Sequence, residues 1–179
     1  APTFTTTNDR GTNGSNVTIV YRKADEDTYT TEKPKDAGSY VVRITVEADS
    51  NYKKVSAEKE FTISPKKVNA TVSVADRAYN GTKTAEVTAT VETGIGEETL
   101  TITGLTGTFD NENAGTDKTV TINSTNAVVT GGTGTNAGNY KVTYPATTTA
   151  SIRAVALTVK VKDVEKHIGY EDPAFTYTI

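Results

Sequence analysis

The chain has 179 residues, of which 35% are hydrophobic and 7% aromatic, and it carries a formal net charge of −3. It contains no Cys, Met or Trp and one His, which excludes a disulfide framework, a thiolate nucleophile, a cysteine-held metal and a histidine-based triad within this sequence. Acidic and basic residues alternate without a basic face, so nucleic acid is not an expected partner, and no apolar run approaches a membrane span, so no membrane insertion is expected. Thr is the commonest residue and Val the next. Both are β-branched and suit a pleated, half-buried surface better than a helix. The composition therefore predicts an all-β chain with little or no helix. Neither a signal peptide nor a sorting tail is recognisable, and Ala1 is expected at a cut or processed end.

In chain order, Asp25-Glu26-Asp27 reads as a solvated hairpin tip. Tyr40, Val42, Ile44 and Val46 then alternate as a strand with one buried face. Phe61-Thr62-Ile63 closes the first stretch, and Ser64-Pro65-Lys66-Lys67 is a short link into Val68, Ala70, Val72 and Val74. Asn80-Gly81 predicts a type I′ hairpin. Val87, Ala89 and Val91 alternate again, Gly94-Ile95-Gly96 breaks the run, and Leu100 and Ile102 open another strand. Phe109 to Thr116 reads as a polar loop, Val120 and Ile122 as a strand, and Gly131 to Gly138 as a long turn. Tyr140, Val142 and Tyr144 follow, then Ala150-Ser151-Ile152, the link Arg153-Ala154-Val155-Ala156, and a last apolar strand from Leu157 to Val161.

Two echoes organise this series. Ala37-Gly38-Ser39-Tyr40 matches Ala137-Gly138-Asn139-Tyr140, and each opens an alternating strand. The junction after Ile63 matches the junction after Ile152, each passing from a closing strand through a short link into an opening one. Short links predict closely coupled modules rather than beads on a flexible string. The division expected is residues 1–64 as one module, with or without its own first strand, residues 65–154 as a second, complete module, and residues 155–179 as the truncated start of a third. Leu157 to Val161 has too few partners for an independent core. It is expected to pair against the second module or a neighbouring chain, or to be poorly ordered.

Val17 to Ile63 resembles the bacterial Ig-like, MBG-type repeats of Gram-positive surface proteins. The matching residues are Pro34-Lys35-Asp36-Ala37-Gly38-Ser39-Tyr40, Asn51-Tyr52 and Phe61-Thr62-Ile63. The middle segment is similar to the YDG-type repeat through Tyr79-Asn80-Gly81-Thr82-Lys83-Thr84-Ala85, Phe109, Asn113-Ala114-Gly115-Thr116, Val120 and Ala137-Gly138-Asn139-Tyr140. Asn80 stands where that family often has Asp. Residues 157–179 resemble the opening of another MBG-type repeat through Gly169-Tyr170-Glu171-Asp172-Pro173-Ala174-Phe175-Thr176-Tyr177. The resemblance implies tandem Ig-like β-sandwich modules, or alternatively β-grasp-like open-sheet modules. It also implies an extracellular setting, cell-wall attached at the cell surface or secreted, as in adhesin repeat arrays.

The expected site inventory is empty: no catalytic, cofactor-binding or metal-binding residue, no cofactor and no enzymatic activity. His167 alone cannot assemble a site. Asp110-Asn111-Glu112-Asn113-Ala114-Gly115 lacks the alternation of oxygen ligands and the closing Glu of a calcium loop, and reads as a polar Asx turn. Glu92, Glu97 and Glu98 have no cleft or aromatic platform to make them a glycosidase pair. Tyr40, Tyr52, Tyr79 and Tyr140 read as core anchors at strand starts. A Lys–Asn cross-link needs a neutral amine and a protonated acid in a dry pocket, and no Lys stands in an obviously apolar strand context. The expected role is a structural spacer whose partners are neighbouring repeats of the same protein. The alternative is an adhesive module that binds host glycan or protein through the loops Gly94–Glu98, Asp110–Asp117 and Gly131–Gly138.

Overall fold

The structure, a computed structural model, describes residues 17–178. The start of the opening module, with Ala1 and any strand before Val17, lies outside the described residues. The first segment forms an antiparallel sheet of β1 (Val17–Lys23), β2 (Gly38–Val46) and β3 (Val55–Ile63), in that order. Alternation places Tyr40, Val42 and Ile44 on one face of β2, and register sets Tyr21 opposite Val42 and Tyr40 opposite Phe61. The Tyr40 and Phe61 rings stack at 5.7 Å, and Tyr21 meets Phe61 edge-on at 6.3 Å. Such ring pairs contribute about 0.5–1.5 kcal/mol beyond the area they bury.

The opposite face is covered by a polar side chain. The Arg43 guanidinium lies 3.9 Å from the Tyr29 ring centroid, and Arg22 lies 5.4 Å from it. Arg22 Nε donates to the Tyr29 hydroxyl at 3.0 Å, and Arg43 Nε donates to Glu58 at 2.7 Å. Val41 and Val42, on opposite faces, are accordingly both buried. Asp25-Glu26-Asp27 is exposed as expected, but the chain needs the whole of residues 24–37 to return, with a bridge from Tyr21 to Thr30 on the way.

The second segment supplies β4 (Lys66–Val74), β5 (Arg77–Ala78), β6 (Thr84–Val91), β7 (Leu100–Thr103), β8 (Thr106–Phe109), β9 (Gly115–Asn123), β10 (Val128–Gly131), β11 (Tyr140–Thr143) and β12 (Thr147–Arg153). The third supplies β13 (Lys160–Val161) and β14 (Tyr177–Thr178). The described helical content is one 3₁₀ turn, Ala137–Asn139. The all-β expectation therefore holds.

The chain divides into two compact units. One gathers the described residues of Ala1–Asn69 with Val91–Thr101 and Val129–Thr143; the other gathers Ala70–Thr90, Ile102–Val128 and the described residues of Tyr144–Ile179. In the first, two residues separate the end of β3 from the start of β4, whose first four residues pair in parallel with β11, Tyr140 beside Lys66. In the second, β6, β8, β9, β12 and β5 lie side by side in that order. β9 and β12 are antiparallel with a bulge, where Asp117 takes a positive φ of 48° and its N–H reaches the Ser151 hydroxyl at 3.3 Å.

The core of the second unit is small. Phe109, Val120 and Ile152 are almost wholly buried, with Ala85 and Ala150 beside them and Val74 and Ile122 packed against the cluster. Gly107 on β8 lets these strands close. A Cβ there would come within 2.8 Å of Val87 Cγ2, 2.9 Å of Val120 Cγ1 and 3.1 Å of Ala85 Cβ.

Three local expectations are corrected. Asn80-Gly81 is no type I′ hairpin, because that turn needs positive φ at both residues and only Gly81, at 73°, has it. The Asn80 carboxamide oxygen instead accepts from the Thr82 N–H and hydroxyl, at 3.1 and 2.9 Å, and from Arg77 at 2.5 Å. This Asx geometry competes with the hairpin, and β5 pairs in parallel with β12. Tyr52 and Tyr79 are 46% and 45% exposed, so only Tyr40 and Tyr140 of the four tyrosines are core anchors. Finally, the strand expected from Leu157 to Val161 is reduced to the two residues of β13, paired with β14, and Leu157 is 80% exposed. A short ladder without a second layer leaves its apolar side chains in water.

Replacing Gly107 by Ala should destabilise the fold by about 1–3 kcal/mol through overpacking, measured as a lower urea midpoint with an unchanged slope. An unshifted midpoint would mean that the strands close without the glycine.

Candidate functional site

Two features of the described residues invite a functional reading, a concavity and an ionic cluster around a buried lysine. The concavity, about 330 Å³, lies in the first module. Tyr21 and Tyr40, both buried, are among its lining residues, with Arg22 and Lys23 from the end of β1, Glu26 just beyond it, and Lys33 to Asp36 from the segment entering β2. Much of its charge is already engaged. Arg22 Nη1 donates to the carbonyls of Lys23, Ala24 and Glu26 at 3.1, 3.0 and 2.9 Å. Lys23 pairs with Glu26 at 3.1 Å, which raises its pKa above the ordinary lysine value. The hydrogen bond to Tyr29 likewise raises that of Arg22. The Tyr40 hydroxyl donates to the Asp36 carbonyl at 3.0 Å and ties the cleft wall to its floor. Volume and lining suit recognition of a small polar group, at the lower end of ligand-pocket size.

The ionic cluster centres on Lys118. Its side chain is buried, with Nζ 2.8 Å from Asp110 Oδ1 and 2.8 Å from Asn111 Oδ1. Asp110 Oδ1 also accepts the Asn111 N–H at 2.8 Å, and Asn111 Oδ1 the Asn113 N–H at 3.1 Å. Sequence reasoning missed this lysine. The signal was present in the period-two register: counting back from Ile122 and Val120 puts Lys118 on the inward face, with its stem buried and its amine reaching the loop. The loop weighed as a calcium site thus already holds a cation, the Lys118 ammonium. Among the described residues no group of three or more His, Asp or Glu is placed to hold a metal ion.

The same cluster corrects the expectation that no Lys lies in an apolar strand context. Its ionic state nevertheless disfavours amide coupling. The Lys118 hydrogen bond holds the half-exposed Asp110 carboxyl below the usual carboxylate range, whereas coupling needs that acid protonated and the amine neutral.

The remaining candidates do not converge. Glu98 accepts the Tyr140 hydroxyl at 2.7 Å, which raises the tyrosine's pKa, while Glu92 and Glu97 are exposed. His167 is exposed and meets the Tyr170 ring edge-on at 6.3 Å. The loops Gly94–Glu98 and Gly131–Gly138 are joined through Thr99, whose carbonyl accepts the Gly132 N–H at 2.9 Å and whose N–H donates to the Thr135 hydroxyl at 3.1 Å. The buried Thr93 hydroxyl, donating to the Glu98 carbonyl at 2.8 Å, closes the first of them. These loops are braced by their own hydrogen bonds, and the cleft lies elsewhere, in the first module.

Residues 64–150 match the YDG domain family. The match covers the middle segment that resembles this repeat in sequence, from the Ser64-Pro65 link to the start of Ala150-Ser151-Ile152. No curated protein and no solved structure matches the chain.

Two outcomes are expected of the Lys118 cluster. The intact mass should equal the mass of the plain sequence; a value lower by one ammonia, with a Lys118–Asn111 linked peptide in the digest, would demonstrate the bond. Asp110 has a folded pKa below its unfolded one, so its contribution to stability is complete above the unfolded value of about 4 and is lost as pH falls through the folded value. Thermal unfolding should therefore become acid-sensitive below about pH 4, and Lys118→Met should make that dependence shallower. Equal slopes for the two proteins would remove the ion pair from the explanation.

Proposed function

We propose that the chain is a non-catalytic spacer segment of a bacterial cell-surface or secreted repeat protein, outside the cell and either wall-attached or released. The observation that carries this reading is the passage from β3 to β4 in two residues, Ser64-Pro65, one of them conformationally fixed. A link this short leaves little freedom between successive strands, which is what a stalk needs if a distal domain is to be held at a distance. The YDG match covers one segment, residues 64–150; tandem organisation, with MBG-type repeats on either side, is part of the proposal. The partners are then neighbouring repeats. Small-angle scattering on several tandem modules should give a maximum dimension that grows linearly with module number; growth as the square root would indicate a flexible string.

The cleft beside Tyr21 and Tyr40 favours a second reading, an adhesive module. It would bind a host glycan or a host protein's polar side chains through Lys33, Lys35 and the loop from Thr28 to Asp36. A glycan array and a host-matrix panel probed with the intact chain and with Lys33→Ala/Lys35→Ala separate the two readings. Binding lost in the double variant supports adhesion, and no binding by either protein leaves the spacer.

A further inference from the structure

The two Ala-Gly-x-Tyr motifs meet at one place. β2 begins at Gly38, in register with Ile63, the last residue of β3. β11 begins at Tyr140, in register with Lys66, the first residue of β4. β2 runs antiparallel to β3 and β11 parallel to β4, so each echo strand starts at the Ser64-Pro65 link and runs away from it. The residues just before the two strands are thereby brought face to face, and both belong to the same compact unit.

The contact is a two-point hydrogen bond. The Ala37 N–H donates to Asn139 Oδ1 at 2.7 Å, and Asn139 Nδ2 donates to Asp36 Oδ1 at 2.8 Å. The amide orientation is forced, because the Ala37 N–H can only donate and the Asp36 carboxylate can only accept. Both sides are held in advance. Asn136 Oδ1 accepts the Gly138 N–H at 3.0 Å, and the Asn139 N–H returns to the Asn136 carbonyl at 3.0 Å, fixing the 3₁₀ turn. The Tyr40 hydroxyl on the Asp36 carbonyl fixes the other turn. The position that differs between the echoes, Ser39 against Asn139, is the one that reaches across.

We propose that Asn139 is the recognition residue of a module-to-module clamp. The Ala-Gly-Asn-Tyr turn of the YDG segment reads the Asp-Ala-Gly turn of the module preceding it and braces the two-residue link between them. A carboxylate–amide–backbone triad selects its partner: the preceding module must present an acid followed by a free N–H. The clamp deepens the spacer reading and rests on its tandem organisation, but its test is local.

Amide hydrogen exchange at Ala37 in the whole chain reads the contact directly, with Val41 and Val42 of β2 as internal controls. Asn139→Ala should speed Ala37 exchange by about threefold to tenfold, the loss of one net hydrogen bond, and leave the controls unchanged. Asn139→Asp should speed it further, since two carboxylates then face each other. The exchanged pair, Asp36→Asn with Asn139→Asp, restores both hydrogen bonds, with the carboxamide at position 36 and the Ala37 N–H donating to the carboxylate at position 139, and should return Ala37 to near its original rate. Unchanged Ala37 exchange in the alanine variant, or no recovery in the exchanged pair, would overturn the clamp. An array that scatters as a flexible string while Ala37 stays protected would overturn the spacer and leave the clamp standing.

Discussion

The passage from β3 to β4 allows the chain two residues, and much of the architecture around it follows from that limit. With so little slack, the end of one strand and the start of the next are fixed to within a few ångströms. Whatever pairs with them is fixed as well. β2 takes its register from β3 and β11 from β4, so two turns far apart in sequence open side by side. Glycine follows alanine in both, but neither Gly38 nor Gly138 takes a positive φ; the first large side chain of each strand is a buried tyrosine.

The second constraint is scarcity of apolar mass. A chain rich in Thr and poor in Leu cannot fill a deep core, and the cluster around Phe109, Val120 and Ile152 is correspondingly small. It closes by removing volume at Gly107 rather than adding it. Around this thin interior long cations serve as covers. Arg43 and Arg22 flank Tyr29, Arg77 lies 5.1 Å from the Phe109 ring centroid, and Lys118 runs inside β9 to reach Asp110. The stems or planar heads cover hydrophobic surface while hydrogen bonds engage the charged ends, although Arg77 Nε is buried without a partner. Partial exposure keeps these ion pairs modest in energy; their geometry is what matters to the fold.

Local pattern revealed much and stopped at predictable points. The strands through Tyr40–Val46, Phe61–Ile63, Val68–Val74 and Tyr140–Val142 were legible because period-two alternation of β-branched and aromatic residues has few other solutions. The links and the echo were legible as spacing. What escaped depends on partners distant in sequence. The parallel pairings of β11 with β4 and of β12 with β5 leave no trace in either strand alone. Asn80-Gly81 carried a hairpin signal that an Asx interaction and Arg77 redirected. Tyr52 and Tyr79 look like Tyr40 and Tyr140 in one dimension and differ only in what packs over them. Lys118 looked solvated because its type outweighed its register. The loops offered as an alternative binding surface, Gly94–Glu98 and Gly131–Gly138, are braced by their own hydrogen bonds, whereas the concavity is lined by the long return from β1 to β2 and two buried tyrosines.

The parallel ladder between β4 and β11 also has a mechanical meaning. Tension transmitted along the chain from Ile63 would enter β4 at Lys66, along the strand axis, while β11 lies beside it with evenly spaced, slanted hydrogen bonds. A pull in that direction loads all of those bonds at once, in shear. A hairpin pulled open from its ends would instead surrender them one after another. The order in which the strands are joined thus favours sharing of an axial load where β3 passes the chain to β4.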